Sequence, residues 1–181
     1  EPKAVTRGPW AVGLYGSEAE VRWETAEDGC GGLRFANDGS TAWLGAVAST
    51  TTPFERTLEV GTGVLEQPDL PGTSFLHRVR IQNLRANHCY TYEISQALTS
   101  HKGRFCTAAQ QPEETTTLAV IGDTNPALGH TESLYEPIAA ARPRAILHLG
   151  DIQYYESIIE TWSAWHERTQ PLLATAAILP V

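Results

Sequence analysis

Methionine is absent from the 181-residue chain, so residue 1 is not a translation start; the chain is expected to begin after processing or inside a larger reading frame. Nothing at the start reads as a signal peptide. Apolar runs are short, none approaching the ~20 residues needed to cross a bilayer, so no membrane span is expected. Basic runs are missing too. The formal net charge is −8 and the Lys and Arg residues are scattered, so neither nucleic acid nor an anionic membrane would be attracted. Repeats and low-complexity tracts are lacking. The three cysteines, Cys30, Cys89 and Cys106, cannot all pair within the chain, and their spacing fits no zinc motif. What remains is the composition of an ordinary globular protein, long enough for one large domain or two small ones.

Up to about Gln111 the chain reads as short alternating strands divided by turn residues: WAVGLYG, AEVRWET, GLRFAND, FLHRVRIQNL, CYTYEIS and GRFCTA. Such a pattern predicts a β-sandwich over residues 1–110. Trp23 and Val21 share one strand face, and the aromatics are expected in the core. Leu84 and Tyr90 in LRANHCY resemble the tyrosine corner of fibronectin type III and immunoglobulin-like sandwiches. If CYTYEIS and GRFCTA form a hairpin with Tyr90 opposite Phe105 and Tyr92 opposite Gly103, then Cys89 faces Cys106. They would be either a cross-strand disulfide, implying an oxidising compartment, or two buried free thiols. Cys30, in DGCGG, is the odd one out.

The polar stretch AAQQPEETTT marks a boundary, with a second unit over residues 111–181. There TLAVIGD and RAILHLGD read as strands buried on both faces, and AAILPV as a third. SLYEPIAAA reads as a helix with Ser133 and Glu136 at capping-box spacing. Ile158, Trp162, Trp165, Thr169 and Leu172 recur at helical spacing. The order β-α-β-α-β predicts a parallel α/β sheet, whose three strands would not be stable alone because their last edge and part of both faces lie uncovered.

In open parallel sheets ligands bind beyond the carboxyl ends of the strands. Asp123 and Asp151 both follow a glycine there, 28 positions apart. A single Gly-Asp is usually a turn. Two neighbouring carboxylates would raise each other's pKa unless a cation lay between them, and hard oxygen ligands suit hard cations.

GDTN and GDIQY resemble the first and second motifs, commonly DxG and GDxxY, of the purple acid phosphatases, calcineurin-like metallophosphoesterases that often carry a fibronectin-like N-terminal domain. The resemblance implies a dinuclear metal centre of Fe(III) with a divalent Fe, Zn or Mn. Asp123 would bind the first metal, Asp151 would bridge both, and Tyr154 would be the phenolate ligand to iron, with Tyr155 packing beside it. The implied activity is hydrolysis of phosphate monoesters in a secreted, periplasmic or otherwise extracytoplasmic protein, with a phosphate ester as substrate. Asp123-Thr124-Asn125 departs from the usual first motif, and the later Gly-Asn-His, VxxH and GHxH motifs do not occur, so the remainder of a phosphoesterase domain would have to complete the site. His148 reads as a hydrogen-bonded core residue, His130 as an exposed loop residue and His166 as part of the polar side of its helix. Competing expectations are a phosphodiesterase of the same superfamily and a secreted, non-catalytic binding module with a degenerate phosphoesterase domain.

Overall fold

A computed structural model of the chain describes residues 4–56, 72–95, 100–111, 115–124, 131–152 and 159–181. Eleven strands lie among these residues: β1 (Val5–Val12), β2 (Ala19–Thr25), β3 (Gly32–Asn37), β4 (Trp43–Ala48), β5 (Thr50–Arg56), β6 (Gly72–Ile81), β7 (Cys89–Ile94), β8 (His101–Cys106), β9 (Leu118–Ile121), β10 (Ala145–His148) and β11 (Ala177–Pro180). A 3-10 turn, Thr131–Leu134, leads into the short helix α1 (Tyr135–Ala140), and α2 spans Ile159–Leu173.

The expectation of a β-sandwich followed by an α/β fold of its own is corrected: the protein is mostly β and is built on two sheets. One has seven strands in the order β5-β6-β2-β1-β11-β10-β9, the other four in the order β4-β3-β7-β8. Strands β9, β10 and β11 pair in parallel, yet they extend the larger sheet because β11 pairs with β1, Val12 level with Ile178. The reason is backbone saturation. Each free strand edge carries unpaired N–H and C=O groups, and joining β1 to β11 removes two such edges at once.

Alternation decides the faces. The main core holds Val21, Trp23, Val79 and Ile81 from the larger sheet against Leu33, Tyr90, Tyr92, Ile94 and Phe105 from the smaller, and Ala177 of β11 joins it. On the opposite face of β1 and β9–β11, both helices bury their apolar residues. Tyr135 and Leu172 pack with Ile146, while Trp165 and Leu173 pack with Ile178 beside Trp10 and Val12.

Several local expectations are realised. Cys89 and Cys106 are opposed on β7 and β8 and form a disulfide. Cys30 is free and exposed. The Tyr90 hydroxyl accepts the Arg85 backbone N–H at 3.0 Å, the bond of a tyrosine corner. Others are not. The residue before α1 is Leu134, which makes no side-chain cap, so the helix begins one residue later than a cap at Ser133 would place it. Pro137 stands in the first turn of α1, where a missing N–H costs nothing.

Candidate functional site

Polar side chains gather at several places among the described residues, and two of these open on a crevice or cavity beside the helices. The first is the crevice at the carboxyl ends of β9 and β10. The ladder sets Ile121 level with His148, an offset one residue short of that between Asp123 and Asp151, so Asp123 lies level with Gly150 and the carboxylates are staggered. Both aspartates are exposed and adopt left-handed backbone, φ 54° at Asp123 and 56° at Asp151, the turn conformation that Asp tolerates better than most residues. Gly150, at φ 108°, occupies a region closed to other residues. The Asp123 N–H donates to the Gly150 carbonyl at 3.3 Å, which ties the two loops together.

Between the loops stands His148, fully buried. Trp165 Nε1 donates to Thr124 Oγ1 at 2.8 Å, and His148 Nε2 meets the same oxygen at 2.6 Å. The Gly150 N–H points at Nδ1, 3.4 Å away. With Nδ1 accepting, Nε2 carries the proton and donates to Thr124, so both ring nitrogens are committed. Burial pushes the His148 pKa down, partly opposed by the charges of Asp123 and Asp151. His148 is therefore a neutral, hydrogen-bonded core residue holding β10 to the loop after β9.

Among the described residues no three His, Cys, Asp or Glu side chains gather as a metal site. Asp123 and Asp151 flank a histidine with no nitrogen to spare, so these residues do not by themselves fit a dinuclear centre. Tyr154, Tyr155 and His130 lie outside the described residues. His166 differs from its expected place on a polar helix side. Its ring centroid lies 4.6 Å from that of Trp10 and 5.0 Å from that of Trp165, its Nδ1 is buried without a partner, and burial together with the Arg7 charge pushes its pKa down to about 3.

The second place was not foreseen. A cavity of about 490 Å³ opens where the four-stranded sheet meets the ends of the two helices. Its walls come from the β3–β4 loop (Asp38, Ser40, Thr41), from Trp43, from β7 and β8, and from Arg142 and Thr175 after the helices. Asp38 organises it: Arg104 Nε donates to its Oδ2 at 2.8 Å and Arg142 Nη2 at 2.5 Å. Burial alone would raise the Asp38 pKa, but the two guanidiniums outweigh it and hold the carboxyl below the usual range. Arg104 donates also to the Pro143 and Thr175 carbonyls, each at 3.1 Å, so it rivets the smaller sheet to the helical side. Tyr92 and Gly103, opposed on β7 and β8, both line the cavity. A glycine opposite a tyrosine was readable in the hairpin register. The partners brought together by the fold, Asp38, Arg104 and Arg142, are too far apart in sequence to leave a local signal.

No family model matches the chain. Solved structures similar to it include the sensor domain of the anti-sigma factor RsgI4 in Pseudobacteroides cellulosolvens, 13% identical over 63% of this chain and 97% of that one, with a TM-score of 0.35. A solution structure of that sensor domain matches at 12% identity over 63% of this chain and 81% of that one, with a TM-score of 0.36. Astrotactin-2, a vertebrate-specific, perforin-like membrane protein, matches at 10% identity over 72% of this chain and 23% of its own, with a TM-score of 0.37. These likenesses are too distant to carry a function across. The structures named here are sensor domains and a perforin-like protein, and none of them is a phosphoesterase by its description. With no family model matching, the resemblance to purple acid phosphatases is corrected, and with it the hydrolysis of phosphate monoesters that it implied. No helix among the described residues is long and apolar enough to cross a membrane.

Proposed function

We propose that the chain is an extracytoplasmic binding module that takes a small ligand in the cavity between the four-stranded sheet and the helical side of the larger sheet. The observation that carries this reading is the cavity itself. At about 490 Å³ it is the size of a small-molecule site, and its walls come from both halves of the chain, pinned together by Arg104. The Cys89–Cys106 disulfide supports an oxidising, extracytoplasmic compartment.

The test is thermal denaturation across a panel of oligosaccharides and organic anions, since a ligand that binds only the folded state raises Tm by mass action. A rise kept by the Asp123→Asn, Asp151→Asn double variant and lost by Trp43→Ala supports the reading. The reverse pattern, or metal-dependent release of nitrophenol from nitrophenyl phosphate by this chain, overturns it.

A further inference from the structure

The outer side of β9, apart from the junction cavity, presents unpaired backbone. Among the described residues no strand pairs with β9 on that side. Alternate residues of a parallel strand turn their backbone groups to opposite sides; the Thr117 and Ile121 carbonyls accept the Arg144 and Leu149 N–H groups at 2.8 Å each, so Leu118 and Val120 turn theirs outwards. Two donors and two acceptors thus stand at the spacing of an extended chain. A further polypeptide strand matches that set.

Both faces beside this edge are apolar. On the face away from the helices, Leu118 and Val120 are 42% and 58% exposed. On the helical face Ala119 and Ile121 pack with Tyr135 and Ile138, and a cavity of about 330 Å³ lies between the end of β9 and α1, walled by Ile121, Tyr135, Pro137, Ile138 and the exposed Leu134. A strand added ~4.8 Å from β9 sends alternate side chains to these two faces. Both sets gain apolar contact, and a bulky aliphatic residue level with Ile121 enters the cavity.

Charge narrows the kind of strand. The carboxyl end of β9 leads to the exposed carboxylates of Asp123 and Asp151, whereas Thr115, Thr116 and Thr117 at the other end are uncharged. A second copy of the chain fits this edge poorly. In the two antiparallel registers that overlap two β9 strands most fully with both helical faces on one side, Ile121 stands opposite a threonine or an alanine, too small to fill the cavity. Each copy also brings a net charge of −8, so two copies repel. An aliphatic strand ending in basic residues meets the backbone, the apolar faces and the carboxylates together.

We infer that β9 binds, by strand addition, an extended aliphatic segment of another protein that carries basic residues at the end level with Asp123 and Asp151. Fluorescence anisotropy with the full chain tests it, using the end-capped peptides Lys-Lys-Val-Ile-Val-Ile-Val and Val-Ile-Val-Ile-Val-Lys-Lys, which bring the lysines to Asp123 in antiparallel and parallel pairing respectively. One of the two binds, at least about 10-fold more tightly than its counterpart with Glu-Glu in place of Lys-Lys. N-methylation of one alternate set of its amides weakens it about 10-fold, the scale of two backbone hydrogen bonds. Val120→Lys, at an exposed position, weakens it as much and leaves Tm unchanged. Binding of neither peptide, or binding indifferent to N-methylation of either set and to Val120→Lys, overturns the inference. A Glu-Glu peptide bound as tightly overturns the basic partner. Sedimentation that shows a dimer lost in Val120→Lys and untouched by either peptide assigns the edge to a second copy and overturns the inference as well.

Discussion

At one end of the seven-stranded sheet, β5 carries three threonines, Pro53 and Glu55; at the other, β9 is Leu118-Ala119-Val120-Ile121, with neither charge nor proline. Proline and charge blunt an edge strand, whereas a bare apolar edge is a template for pairing. The faces differ as well. The four-stranded sheet covers the larger one as far as β11, through β8, and beyond it Leu118 and Val120 stand 42% and 58% exposed. The sandwich half thus closes on its own core, while the parallel strands borrow theirs from β1 and the helices. A continuous sheet should nevertheless make them melt as one.

Trp23→Ala breaks that picture most severely. Trp23 is fully buried and stacked on His77, ring centroids 5.1 Å apart, so its truncation should cost about 3–5 kcal/mol. Ile146→Ala, in the other half, should cost about 2–5 kcal/mol. Both variants should keep a single transition, the same by far-ultraviolet dichroism and by tryptophan fluorescence. Two separated transitions in Ile146→Ala would show the halves to be independent.

Next in size is the disulfide. Cys89→Ser with Cys106→Ser opens a loop with a sequence separation of 17, and chain-entropy arguments put the loss near 3 kcal/mol. Urea midpoints of the double variant check this; an unchanged midpoint sinks the bridge as a structural bond.

A smaller effect comes from acid. Burial lowers the pKa of His77 and of His148, one histidine in each half. Unfolded histidine titrates near ~6.5, so as pH falls below that value the unfolded chain takes up protons that the folded chain refuses. Stability is therefore full above about 6.5 and is lost as pH falls towards the depressed folded values. His166 adds to the same slope, and His166→Phe should make it shallower. Urea midpoints measured across this range decide the matter, and a midpoint indifferent to pH there contradicts the buried, neutral histidines.

Smallest in stability are Leu118→Thr and Val120→Thr, within about 0.5 kcal/mol because both side chains are exposed. Their effect should appear as reduced self-association in light scattering. Unchanged scattering would show that the bare edge is harmless.

Legibility followed locality. Strands with strict alternation, such as β2 and β7, were readable, and so was the register that brings Cys89 opposite Cys106, because hairpin pairing is local. Strands β4 and β5 were not read: in WLGAVASTTTPFER most side chains are exposed or half-buried and Pro53 interrupts the run, which only an edge strand tolerates. The pairing of β1 with β11 joins opposite ends of the chain and leaves no periodic trace. His148 was recognisable as a core residue from the apolar strand around it. The Gly-Asp repeats were visible, but the one-residue stagger and the left-handed backbone of the aspartates depend on strand pairing. His166 was misplaced because the surface it covers, Trp10, lies on a strand remote in sequence.

The most direct measurement of where this molecule binds is a proton–nitrogen correlation spectrum of the full chain titrated with the oligosaccharide or organic anion that raises Tm most in the thermal panel. The expected result is progressive shifts of the amides of Thr91, Lys102, Gly103 and Arg142 around the junction cavity, with Gly122 to Thr124 and Gly150 to Asp151 undisturbed. Shifts confined to the two Gly-Asp loops, or none anywhere, would contradict the assignment of binding to the junction.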